Sequence, residues 1–123
     1  EKLNQIQNFN DLLAHPNAGW IWEGFVIQQI KPILPFDTDC CFYRTNHGAE
    51  IDLILTFSNQ KRIGVEIKFS TVPTLTRGNY EAMSDLNLEN LYVIAPTEES
   101  YLLKENVEVI GLKLFLEKLR KLH

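Results

Sequence analysis

Two apolar runs separated by a four-residue polar break constrain this chain most. "IDLILTF" (51–57) and "RIGVEIKF" (62–69) flank "SNQK". Both are rich in β-branched and aromatic residues, and the break is short enough only for a hairpin. A third run, "CCFYRT" (40–45), precedes them across the turn "NHG" (46–48). Short connections make neighbours pair antiparallel, so a three-stranded meander is expected. Three charges interrupt these runs: Asp52 in the second strand, Glu66 and Lys68 in the third. A strand that belongs in a core needs a reason to carry them.

The rest of the chain supplies layers for that meander. Leu3, Ile6, Phe9, Leu12 and Leu13 have helical spacing over residues 1–14, which His15-Pro16-Asn17 breaks. His15 reads as a loop residue. "AGWIWEGFVIQQIKPIL" predicts a helix from Ala18 to Leu34, closed by Pro32 and Pro35. After the meander, "STVPTLTRG" is a loop and "NYEAMSDLN" a short helix. "NLYVIAP" (90–96) is nearly all apolar, as a buried strand is, and "VEVIGL" (107–112) is a second strand. "LKLFLEKLRKLH" closes as an amphipathic helix with Leu112, Phe115, Leu116, Leu119 and Leu122 along one stripe. The order predicts one α/β domain with a mixed sheet.

Length and composition narrow the class. At 123 residues with 45% hydrophobic content, the chain is long enough for one core. No apolar run approaches the roughly 20 residues of a spanning helix, so no membrane partner is expected. The opening "EKLNQIQNFN" lacks an apolar signal segment and does not begin with Met, which suggests a piece of a longer chain. Cys40 and Cys41 are adjacent, so a bridge between them is strained, and no CxxC spacing exists. They read as reduced, strand-buried thiols in a cytoplasmic protein. The net charge of -4 is not that of a dedicated nucleic-acid binder. Positive charges gather at Lys61, Arg62, Lys68 and Arg77, and again from Lys113 to Lys121 on the closing helix.

Period-two alternation puts Glu66 and Lys68 on one face of the third strand. Asp52 shares its face with Ile54 and Thr56. A turn at "SNQK" brings Asp52, Glu66 and Lys68 to the same end of the hairpin, away from the turn. On the helical wheel Glu23 falls among Val26, Ile27, Ile30 and Leu34, in the middle of the expected buried face. Three carboxylates and a lysine together suit a hard cation, with oxygen ligands from Asp52, Glu66 and Glu23. Such a cation acidifies water and stabilises charge on a phosphoryl oxygen, while Lys68 orients the attacking water. The plainer reading is a buried salt bridge from Lys68 to Glu66 or Asp52 that fixes register.

"GAEIDLIL" followed by "VEIK" resembles the PD-(D/E)XK nuclease-like superfamily, whose core runs αβββαβ. The resemblance implies a restriction-endonuclease-like mixed sheet flanked by helices. It makes Glu23, Asp52, Glu66 and Lys68 the catalytic set, with magnesium or manganese as cofactor. Ile51 stands where the superfamily's name has proline. "HPNAGWIWEGFVIQQI", "FYRTNHGAEIDLIL", "VEIKFSTVPTLTRGNYEAMSDL" and "ESYLLKENVEVIGL" look like the uncharacterised C-terminal domain of a family of prokaryotic AAA-type ATPases. No G-x-x-x-x-G-K-[ST] is present, so ATP is expected only through an upstream domain of such a chain.

Other residues admit plainer roles. Arg77-Gly78, placed just before the second helix, is a candidate phosphate seat or an ordinary surface loop. His47 reads as a turn residue. Trp20 and Trp22 read as core, and Tyr43 and Arg44 as residues that can face a substrate. No G-x-S-x-G or Cys-His pair points to a covalent nucleophile. Two functions follow: a metal-dependent phosphodiesterase acting on DNA, or a non-catalytic module of the same fold that binds DNA or protein or regulates an attached ATPase. The acidic net charge favours the second. Nothing in the pattern specifies an oligomeric state.

Overall fold

The computed structural model describes residues 16–122. The helix expected over residues 1–14, and His15, lie outside the described residues. Helix α1 spans Ala18–Ile30, followed by a 3-10 turn, Lys31–Ile33. It stops four residues earlier than the spacing predicted, because Pro32 removes the next backbone donor. Strands β1 (Asp39–Arg44), β2 (Glu50–Thr56) and β3 (Arg62–Ile67) form the meander. Helix α2 (Arg77–Leu86), strands β4 (Leu91–Ala95), β5 (Ser100–Lys104) and β6 (Val107–Gly111), and helix α3 (Leu112–Leu122) complete the order.

The sheet is mixed, six-stranded and open, in the order β1-β2-β3-β4-β6-β5. The meander is antiparallel, β4 runs parallel to β3 and β6, and β5 is antiparallel to β6. Strand β5 has no counterpart in the sequence reading. Every one of its residues is exposed, so "SYLLK" shows neither alternation nor a buried run.

Helices cover both faces. Against one face, α1 and α3 pack Trp22, Val26, Ile30, Phe115 and Leu119 onto Leu53, Leu55, Ile63, Val65 and Ile94. The stripe expected on α3 is the one that packs there. On the other face, Ala82 and Met83 of α2 meet Ile51, Ile54, Leu91, Val93 and Val109. Helix α2 is held by its own start. The Thr76 hydroxyl accepts from Asn79 N–H (3.1 Å), and Asn79 Oδ1 accepts from Thr76 N–H (3.0 Å). The Asn79 amide also donates to the Glu50 carbonyl at 2.9 Å, which ties α2 to the start of β2. One residue on, Gly78 lies so close to the β1–β2 turn that a Cβ there would sit 2.0 Å from the Gly48 carbonyl oxygen.

Three expectations of burial are overturned. Cys40 and Cys41 are both exposed, because β1 is an edge strand with little packed over it. Trp20 is 84% exposed, since it lies on the side of α1 opposite Trp22. Glu23 is half-buried at the flank of α1 and not at the centre of its packed face, which Ala18, Trp22, Val26 and Ile30 occupy. No described helix is long and apolar enough to cross a membrane.

Candidate functional site

The site grows from the point where the β2–β3 ladder stops. The last paired residues are Leu53 and Val65. Beyond them β3 stays with β4, through Glu66 opposite Val93, Ile67 opposite Ile94, and Lys68 N–H donating to the Ile94 carbonyl. Strand β2 departs, and two backbone donors lose their ladder partners. Side chains replace them. Asp52 N–H donates to Glu66 Oε1 at 3.0 Å, and Ile67 N–H donates to Asp52 Oδ2 at 2.8 Å. Each carboxylate thus closes the backbone of the strand opposite. The second oxygen of Glu66, Oε2, lies 3.2 Å from Lys68 Nζ.

A β-bulge brings Asp52 to this point. Cys41 pairs with Ile54 and Tyr43 with Ile51, so three steps of β2 oppose two of β1. The alternation of β2 breaks accordingly. Ile51 lies in the core under α2, whereas Leu53, two residues on, lies in the core under α1. The extra residue falls at Asp52–Leu53, and strict alternation with Ile54 and Thr56, as expected from sequence, does not hold there. The consequence is electrostatic. Glu23 comes from α1, and the Asp52 charge acts on it.

Burial pushes all three carboxyl groups above their usual range. For Glu66 burial is the largest cause and the Asp52 charge adds to it, while the Asp52 N–H and Lys68 oppose. For Asp52 burial again leads, opposed by the Ile67 N–H, Lys68 and Arg44. For Glu23 burial leads, Asp52 adds, and Arg44 opposes. Glu50 also raises Asp52. Four carboxylates therefore face two cations, Lys68 and Arg44. That surplus of negative charge and the hard oxygen donors fit a divalent cation.

The fit is to one or two protein ligands, with the remaining positions left to water or substrate. Among the described residues no three His, Cys, Asp or Glu side chains gather closely enough to hold an ion. The structure brings Asp52, Glu66 and Lys68 together, with Glu23 within the reach of the Asp52 field.

Arg77 is elsewhere. It is the first residue of α2 and not a loop residue before it, because Thr76 is the cap. Its guanidinium pairs with Glu81 at 3.0 Å, and it lines a surface hollow with His47, Gly48 and Gly78. Arg44 is the cation that sequence spacing did not assign. Its register opposite Glu50, two residues before Asp52, carries it there.

The profile of a family described as "Domain of unknown function (DUF4143)" matches residues 18–115. Two similar proteins are "Uncharacterized protein Rv2008c" of Mycobacterium tuberculosis and "Uncharacterized protein Mb2031c" of Mycobacterium bovis. Each is 32% identical over 111 residues, covering 88% of this chain and 25% of the relative. The chain thus spans about a quarter of the length of the curated relatives it matches. No solved structure matches it.

Proposed function

The chain belongs to the DUF4143 family, and we propose that it is a metal-dependent phosphodiesterase domain of restriction-endonuclease-like, PD-(D/E)XK type that acts on DNA. The observation that carries this reading is the splayed end of the β2–β3 hairpin. There Asp52 and Glu66 face each other across the split, and Lys68 stands 3.2 Å from Glu66. Asp52 and Glu66 would hold magnesium or manganese, and Glu23 would hold a water of its shell or a second ion. Such an ion supplies an acidified water and neutralises charge on the phosphoryl group. Lys68, fixed by Glu66, orients the attacking water and stabilises the negative charge that builds on the phosphoryl oxygen. The attached domain is proposed to be an AAA-type ATPase. The threefold longer remainder of the relatives leaves room for one.

The test is cleavage of DNA with magnesium or manganese by this chain and by the full-length protein that contains it. Asp52→Ala and Lys68→Ala each abolish cleavage on this reading. Cleavage that persists in both variants refutes it.

A second reading has its own support. Both Glu66 oxygens and one Asp52 oxygen are already engaged with Lys68 and backbone N–H groups. A non-catalytic module that binds DNA or protein, or regulates the ATPase, needs no more than that. Calorimetry separates the two: heat of manganese binding that disappears in Glu66→Gln supports the metal site, and no binding at millimolar manganese supports the module.

A further inference from the structure

We propose that Arg44 and Phe42, on the α1 side of the edge strand β1, receive a phosphate and an unpaired base of a nucleic-acid strand led to Asp52, Glu66 and Lys68. The proposal rests on the nucleic-acid reading of that site and adds its substrate class, a strand with single-stranded character.

The faces of β1 follow from its register. Cys41 and Tyr43 stand opposite Ile54 and Ile51, both of which lie in the core under α2. The Tyr43 hydroxyl donates to Asp85 of α2 at 3.2 Å, which fixes its side. Alternation then turns Phe42 and Arg44 to the α1 side. This is the side from which Glu23 approaches, and the Arg44 charge acts on both Glu23 and Asp52.

Both side chains are open. Phe42 is 69% exposed, and the Arg44 side chain is 66% exposed. The one ion pair of Arg44 among the described residues is to Glu50 at 3.5 Å, itself half-exposed. A surface pair of that length is weak and gives way readily to a phosphate. A guanidinium matches phosphate oxygens with two parallel N–H donors, which a lysine does not. Phe42 lies two residues away on the same face, about 7 Å along the strand. An exposed ring there is a stacking platform, and base stacking is indifferent to sequence. A duplex has its bases already stacked and offers this ring nothing.

The chain's net charge of -4 decides between this and a plain electrostatic track. Phosphate attraction alone is weak on an acidic domain, so stacking must contribute a salt-insensitive share. The probe is a fluorescently labelled 12-nucleotide single strand and its duplex, bound to the 123-residue chain in EDTA, where no metal-dependent cleavage occurs. Anisotropy across a salt series is read.

The expected result is tighter binding of the single strand than of the duplex. Arg44→Ala weakens it about tenfold and reduces the salt slope by about 0.7. Phe42→Ala weakens the single strand roughly tenfold, leaves the duplex unchanged, and leaves the slope unchanged. Arg44→Lys recovers the slope but not the full affinity. Arg120→Ala, a charge-matched change on α3, alters nothing. Both target side chains are exposed, and circular dichroism melts check that each variant folds. Equal binding of wild type and Arg44→Ala, equal loss in Arg120→Ala, preference for duplex, or no binding at low salt each overturns the proposal. A chain that binds as expected but cuts nothing with magnesium refutes the phosphodiesterase reading and leaves this one standing.

Discussion

Replacing Asp52 by alanine and by asparagine separates two roles that one carboxylate performs. Alanine removes the acceptor and the charge together. Asparagine removes the charge and keeps an oxygen for the Ile67 N–H, now 2.8 Å from Asp52 Oδ2. Ile67 is only 8% exposed, so its orphaned donor has little water to turn to. Leaving such a donor unsatisfied costs about 1–3 kcal/mol. The charge itself works the other way. Burial is the largest influence on Asp52 and opposes its ionised form, so removing the charge is close to neutral or stabilising.

Asp52→Ala is therefore expected to be less stable than Asp52→Asn by about 2 kcal/mol. For a domain of this size that difference separates the melting temperatures by roughly 6–12 °C. Thermal and urea unfolding at neutral pH in EDTA, followed by far-ultraviolet circular dichroism, measures it. Both variants should be equally inactive if Asp52 is a metal ligand, which makes stability the informative readout. Melting temperatures within about 1 °C of each other would mean that the Ile67 N–H finds another partner. The interlocked carboxylates would then not hold the hairpin end.

Further expectations follow from the same geometry. Glu23, Asp52 and Glu66 are all raised by burial, so the folded chain keeps protons that the unfolded chain releases above its ordinary values of 3.8 and 4.5. The contribution of these groups is full below that range and is lost as pH rises through the raised folded values. Urea midpoints without metal should fall from pH 4 upward on their account, and the double variant Asp52→Asn, Glu66→Gln should flatten that fall. A double variant that tracks wild type at every pH contradicts it. Gly78→Ala should destabilise despite alanine's better helix propensity, because its Cβ would meet the Gly48 carbonyl at 2.0 Å. The loss is about 1–3 kcal/mol, read from urea unfolding. Cys40 and Cys41 should both react with a chromogenic disulfide reagent in the native state, since both are exposed. Protection of either until denaturant is added would contradict the open β1 edge.

The meander, the crossover helix and the buried strands were legible because each leaves a periodic or continuous apolar trace. Val65, Ile67, Leu91, Val93 and Ile94 are buried where such runs predict. Strand β5 leaves no trace because its partner β6 supplies its backbone bonds while its side chains stay in water. Cys40 and Trp20 mislead for a related reason. Residue type reports a preference for burial, but the edge position of β1 and the rotation of α1 decide whether a surface exists to cover them. Asp52, Glu66 and Lys68 were legible as a group because hairpin register needs only the turn. Arg44 required the register of a second hairpin, across a bulge that no residue pattern announces.

That bulge is the decisive step from fold to site. With strict alternation, Asp52 would share the side of Ile54, beneath α2, with the sheet between it and Glu23. The inserted residue turns it to the side of Leu53, where Glu23 and Arg44 face it. It also ends the β2–β3 ladder at Leu53 and Val65, which frees the two N–H groups that Asp52 and Glu66 then satisfy. One irregularity thus gathers the charges and supplies the hydrogen bonds that let them stay. Closing the bulge by inserting one residue between Cys41 and Phe42 would let β1 match β2 step for step, so that alternation runs unbroken from Ile54 and parts Asp52 from Glu23. Charge substitutions at Glu23 should then no longer alter the titration of residue 52 in nuclear magnetic resonance. An unchanged dependence of residue 52 on Glu23 in the insertion variant would mean that something other than the bulge brings the two together.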